Sequence, residues 1–176
     1  VTLSGNNLQT DANGAYYEYD GTEKKPDVTV TADDNNAVLA PSDYTVSYAN
    51  NKNAGNATVT VTNAEGGNYT FVDKTEPFAI KKAAAQLTGS PQAKDLTYDG
   101  TAQELVTVGT ATGGHIKYTL DHTDPSSYST AIPTATNADT YIVYYKVVGD
   151  PNHEGSTTPG QVSVTIKPKE ITPKIT

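Results

Sequence analysis

Residues 43–62 read DYTVSYANNKNAGNATVTVT, two alternating runs separated by a cluster of Asn and Gly. In the first run Tyr44, Val46 and Tyr48 fall on one side of an extended chain, with Thr45 and Ser47 on the other. In the second, Ala57, Val59 and Val61 oppose Thr58, Thr60 and Thr62. A period of two is the signature of a strand with one face buried. The intervening NNKNAG is rich in residues that tolerate positive φ, as a turn requires. The stretch therefore predicts two half-buried strands with a turn between them.

The same alternation recurs along the chain. Ile116, Tyr118 and Leu120 alternate with Lys117 and Thr119, while Tyr141, Val143, Tyr145 and Val147 alternate with Ile142, Tyr144 and Lys146. Val162, Val164 and Ile166 close the series, with Ser163 and Thr165 facing out. Turn-forming clusters lie between these runs at residues 33–36, 66–68, 113–114 and 149–152. Only residues 81–87, KKAAAQL, look helical. So short a segment does not hold a helix, and it reads as a linker or a first strand.

Composition narrows the classes of function. Cys, Met, Trp and Arg are all absent, so disulfides and thiolate metal sites are excluded and the fold must rest on packing and strand pairing. The formal net charge of -8, without the bidentate guanidinium that suits phosphate and guanine, argues against nucleic acid. No apolar run approaches the roughly 20 residues of a membrane helix, which argues against membrane insertion. The start at Val1, with neither Met nor a leader, predicts a piece of a longer or processed polypeptide.

The chain also repeats itself. YDGT at residues 19–22 returns 79 residues on at 98–101, Asn53-Ala54-Gly55 returns as Asn137-Ala138-Asp139 after 84, and Ile80-Lys81 returns as Ile166-Lys167 after 86. A slowly growing offset is what two copies with short loop insertions produce. Each copy then holds about seven short strands, the spacing of an immunoglobulin-like sandwich. The prediction is an all-β chain of two tandem immunoglobulin-like β-sandwich domains, residues 1–81 and 82–169, with residues 170–176 opening a further repeat or a linker.

These residues resemble a known family. LTYDGTAQELVTVGTATGGHIKYTLD, YSTAIPTATNADTYIVYYKVVGDPNHEG and VSVTIKPK are similar to the bacterial Ig-like repeats of the MBG and YDG type, found in tandem in secreted or wall-attached surface proteins and adhesins. YEYDGTEKKPDVTV and FAIKK place the first copy in a related variety. The resemblance covers nearly the whole chain and implies a non-catalytic stalk or spacer, extracellular and bacterial, without catalytic residues or cofactors. Asp139 departs from the pattern, standing where such repeats carry Gly, which puts the turn before Tyr141 in doubt. IKYTLDHTDPSSYS also resembles a structural hairpin of small sandwich domains appended to some glycosidases.

The candidate chemistry is sparse. In YDGT, Asp-Gly supplies a tight turn with Gly at positive φ and the Tyr packs a strand end; acid/base work would need a positioned partner, and none repeats with it. His115, His122 and His153 sit beside Gly or turn residues and read as exposed, without the convergent partners of a zinc site or a triad. The acidic turns at 33–36 and 121–124 offer oxygen ligands but not the twelve-residue calcium-loop pattern. Tyr44, Tyr48, Tyr118, Tyr141 and Tyr145 fall in the inward phase, which leaves Tyr16, Tyr17, Tyr128 and Tyr144 to face outward as a glycan-stacking platform.

An intramolecular isopeptide bond needs a buried lysine beside a carboxyl group. Lys117 and Lys146 lie in the outward phase, and no other lysine lies within an apolar alternation. The N-x-T triplets at Asn56 and Asn68 match the glycosylation pattern but read more simply as strand and turn. The expected protein is a monomer whose partners are neighbouring repeats, with host glycan or matrix protein as ligand. The competing expectation is a carbohydrate- or matrix-binding accessory module of a larger glycan-active enzyme.

Overall fold

The computed structural model describes residues 1–174, and residues 175–176, part of the segment expected to open a further repeat, lie outside it. The chain is all-β, of the immunoglobulin-like sandwich kind, and divides into two compact units, Val1–Ala83 and the remainder from Ala84. The first unit contains strands β1 (Thr2–Ser4), β2 (Gln9–Asp11), β3 (Gly14–Glu18), β4 (Asp27–Thr29), β5 (Tyr44–Ala49), β6 (Gly55–Asn63) and β7 (Lys74–Lys81). The division falls within β8 (Ala83–Ala84), and the second unit continues with β9 (Gln86–Gly89), β10 (Leu96–Thr97), β11 (Gln103–Glu104) and β12 (Thr110–Thr112). It ends with β13 (Gly114–Thr119), β14 (Thr134–Ala135), β15 (Thr140–Gly149), β16 (His153–Glu154) and β17 (Gly160–Lys167).

The opening stretch forms an antiparallel pair, with Val46 opposite Val61 and Tyr48 opposite Val59. Ala57, Val59 and Val61 are fully buried, as the alternation requires. The segment from residue 81 to 87 is extended rather than helical. Ala83–Ala84 and Gln86–Gly89 are strands, and the Ala85 amide donates to the Glu154 carbonyl at 2.8 Å.

The two units build one sheet the same way. The order β3-β7-β6-β5 in the first corresponds to β10-β17-β15-β13 in the second, and β2 extends the first sheet by one strand. In both, the third strand runs parallel to the last: Tyr17 lies opposite Ile80, and Leu96 opposite Ile166. The Tyr19 amide donates to the Lys81 carbonyl at 2.9 Å, and Tyr98 repeats the bond to Lys167 at 2.8 Å. Beyond these bonds comes the repeated YDGT. Asp20 accepts from the Thr22 amide and hydroxyl, Asp99 does the same for Thr101, and Gly21 and Gly100 have φ of 83° and 86°. Tyr19 packs on the core, whereas Tyr98 is 39% exposed.

The cores follow the alternation closely. In the second unit Leu105, Val106, Ile116, Tyr118, Val143, Val147, Val164 and Ile166 form one buried cluster, and in the first Tyr17, Ala57, Phe78 and Ile80 adjoin a second group of Val30, Leu39 and Val61. Each fully buried aliphatic side chain contributes about 1.5–3 kcal/mol by leaving water. Two departures are physical rather than local. Leu120 lies just beyond β13 and is 44% exposed, while Thr119 is buried because its hydroxyl meets Ser127 at 2.7 Å under the following loop. Asp139 does alter its turn: Gly55 has a φ of 141°, whereas Asp139 does not take a positive φ and its side chain accepts from the Thr140 amide at 2.7 Å.

Tyrosine hydroxyls close the edge of the first sandwich. Tyr44 donates to the Val28 carbonyl at 3.1 Å and Tyr48 to the Pro26 carbonyl at 2.7 Å, so two residues of β5 hold the segment around β4. Asp43 holds a second loop. It is 3% exposed, and one carboxylate oxygen accepts from both the amide and the side chain of Asn68. The N-x-T at Asn68 is therefore structural, and the Asn68 backbone amide holds the Asp43 carboxyl below its ordinary value of 3.8 against the opposing effect of burial.

Two outcomes follow for stability. Leu105→Ala will cost the second unit about 2–5 kcal/mol in urea unfolding, and Tyr48→Phe will cost the first about 1 kcal/mol. Asp43 has a folded pKa below its unfolded one, so its contribution is present above pH 3.8 and is lost as pH falls through the folded value. Acid titration will show the first unit losing stability below that pH, and Asp43→Asn will flatten the response.

Candidate functional site

The outer face of the β10-β17-β15-β13 sheet carries the ionisable side chains that alternation assigns to the outside. On β15, Tyr144 and Lys146 face away from the buried Val143 and Val147; on β13, His115 and Lys117 face away from Ile116 and Tyr118. Register then sets Lys117 directly opposite Lys146 and Thr119 opposite Tyr144. Directly opposed side chains have Cβ atoms about 4.5–5.5 Å apart, where like charges destabilise a sheet.

The loop after β13 folds back over this face. Asp121 accepts from the Thr123 amide and hydroxyl, Asp124 accepts from Ser126 at the 3-10 turn Pro125–Ser127, and the Ser127 hydroxyl donates to the Asp121 carbonyl at 2.6 Å. Tyr118 and Ser129 then exchange backbone hydrogen bonds of 2.7 and 3.0 Å. The loop so fixed stacks His122 on Tyr144, with ring centroids 4.1 Å apart and planes at 28°. It also lays the Tyr128 ring 4.0 Å from the Lys146 ammonium, a cation–π contact.

Tyr128 is 8% exposed, not outward as its place in the sequence suggests. Its hydroxyl is buried without a hydrogen-bond partner among the described residues, and that burial, with Tyr144 nearby, pushes its pKa up. A buried unmatched hydroxyl costs about 1–3 kcal/mol. The face thus brings together His115, Lys117, His122, Tyr128, Tyr144 and Lys146.

Other predicted candidates go elsewhere. Tyr17 is 6% exposed and packs edge-on against Phe78, a core residue rather than a platform. Tyr16 is outward, but Lys81 sits 3.3 Å from its ring centroid and is held there by Asp11 at 2.7 Å, while the Tyr16 hydroxyl donates to Gln9. His153 is half-buried rather than exposed, with Nδ1 2.7 Å from Asp150. The 33–36 and 121–124 turns spend side-chain oxygens on their own backbone, as when Asn35 accepts from Ala37. Among the described residues no three His, Cys, Asp or Glu side chains converge to hold a metal.

Alternation also misses a buried lysine. Lys24 is 8% exposed, ion-paired with Asp20 and 3.3 Å from the Thr22 hydroxyl, inside a polar cleft of about 320 Å³. Lys24 first, then Thr22, holds the Asp20 carboxyl well below the usual carboxylate range. Gln103 occupies the matching place after the second YDGT and donates to the Thr97 carbonyl at 3.0 Å. An uncharged side chain serves there, so Lys24 braces the turn. A larger open cavity of about 720 Å³ lies against Val30, Leu39 and Phe71, with Asp33, Asp34 and Glu76 among its lining residues.

No family model matches this chain, and no curated protein does. Among solved structures, it is similar to the fibronectin(III)-like modules of Clostridium thermocellum CbhA, at 12% identity over 95% of this chain and 94% of that one, with a TM-score of 0.32. Nothing is transferred from so distant a likeness.

The bracing role of Lys24 has a direct check. Intact mass will equal that of the sequence, and Lys24→Gln will leave the first unit folded by circular dichroism. A mass lower by one water or one ammonia would instead show a side-chain amide crosslink.

Proposed function

We propose that the chain is a non-catalytic tandem module of a bacterial surface or secreted protein, related to the MBG and YDG type of Ig-like repeat and serving as a stalk or spacer. The observation that carries this reading is the duplicated closure: both units tie their third strand to their last by parallel pairing and by the same tyrosine-amide bond. Force applied along such a pair loads several hydrogen bonds together, which suits a load-bearing module. The acidic groups most suggestive of chemistry, Asp20 and Asp99 of YDGT, are occupied by Thr22 and Thr101 and serve their turns.

A second reading, a binding module for glycan or matrix protein attached to a larger enzyme or adhesin, draws support from the outer-face cluster of the second unit. The two readings are compatible, since a spacer can display a weak site many times over and gain avidity by repetition.

Stretching single molecules between their ends tests the spacer reading. Each unit, at about 3.3–3.6 Å per extended residue, will unfold in its own step of roughly 250 Å. Unfolding without a force peak would remove the mechanical role.

A further inference from the structure

We propose that the outer face of the second unit binds a carboxylated sugar, with Lys117 and Lys146 holding the carboxylate and the His122–Tyr144 stack supporting the pyranose ring. The inference deepens the binding-module reading by naming its site and ligand class. Three independent observations converge on it.

The first is charge. In a chain of net charge -8, Lys117 and Lys146 stand directly opposite each other and neither takes part in an ion pair among the described residues. Six of the other ten lysines are ion-paired among the described residues, and Lys81, Lys94 and Lys167 each have a carboxylate within 2.7 Å. Opposed lysines repel, and an anion lying between them removes that repulsion. The carboxylates of the covering loop do not fill this role, because Asp121 and Asp124 accept from Thr123 and Ser126.

The second is the aromatic plate. His122 is exposed and stacked on Tyr144, so a flat, rigid ring faces solvent beside the two ammonium groups. The apolar C–H face of a pyranose packs on such a surface, whereas a simple inorganic anion would leave it unused.

The third is the Tyr128 hydroxyl: the residue is more than nine-tenths buried, and the hydroxyl has no partner among the described residues. Lys146 lies over the Tyr128 ring. A carboxylate that draws Lys146 off the ring uncovers the phenol, which then donates to the ligand. The unmatched hydroxyl and the opposed lysines are both local costs that one ligand relieves.

The test is a residue-resolved NMR titration of the whole chain at physiological salt with 3′-sialyllactose, a hexuronate disaccharide, lactose and sodium acetate. The expected result is saturable shifts at Lys117, His122, Tyr144 and Lys146 with one or both carboxylated sugars, and binding at least about tenfold weaker for lactose and acetate. The two acidic sugars distinguish a sialate from a uronate source. Lys117→Gln with Lys146→Gln will weaken binding about tenfold. Tyr128→Phe will also weaken it while raising the unfolding midpoint, a pairing that a purely structural tyrosine does not produce. Equal shifts with acetate would reveal a general anion site, equal shifts with lactose would remove the charge argument, and no saturable shift would remove the site; each overturns the proposal. None touches the spacer reading, which the stretching experiment addresses without this face.

Discussion

The hydrogen bond from the Tyr19 amide to the Lys81 carbonyl, repeated by Tyr98 and Lys167, ties the third strand of each unit to its last. Without cysteine the chain has no disulfide to impose that closure. The parallel ladder between third and last strands supplies it, joining residues more than 60 positions apart: Tyr17 with Ile80, and Leu96 with Ile166. Once those strands are joined, β6 and β7 in one unit and β15 and β17 in the other each present alternating faces to the core of their own unit. The loop-closure entropy of so non-local a contact is offset by that burial.

Tyrosine does two jobs in this arrangement. Its ring fills core volume, and its hydroxyl reaches a backbone carbonyl or amide at the margin: Tyr44 and Tyr48 donate to Val28 and Pro26, and Tyr118 accepts from the Gly109 amide. These bonds satisfy polar groups where the ladder runs out, and they fix segments that carry little regular structure. The abundance of tyrosine in a chain without tryptophan thus has a mainly structural explanation. Tyr128, whose hydroxyl meets no such partner, stands out against this pattern.

The outer face of the second unit shows how a site is assembled from individually unremarkable residues. Alternation sends Lys117, Tyr144 and Lys146 outward, but only the register between β13 and β15 makes the lysines neighbours. The loop supplies His122 and Tyr128, and its own Asx turns and backbone bonds decide where they land. The first unit turns a threonine-rich face outward at the matching strands, with Thr45 paired to Thr62 and Thr60 to Thr75. The duplicated scaffold therefore carries two chemically different surfaces.

The sequence by itself determined the fold class, the strand phases and the role of YDGT. These depend on the period of two, on glycine at positive φ and on an aspartate beside its own Thr, all properties of neighbouring residues. The positions it misassigned are those where a distant segment intervenes. Tyr17 and Tyr128 read as outward, yet the core covers one and the other lies in the loop after β13, which lays its ring against Lys146; Leu120 loses its phase because the strand ends before it. Lys24 belongs to no alternation, and only the turn around Asp20 shows that it is buried and paired. Register, loop docking and the juxtaposition of Lys117 with Lys146 were decided by the tertiary structure, because side chains far apart in sequence meet only when the backbone ladder brings their strands together.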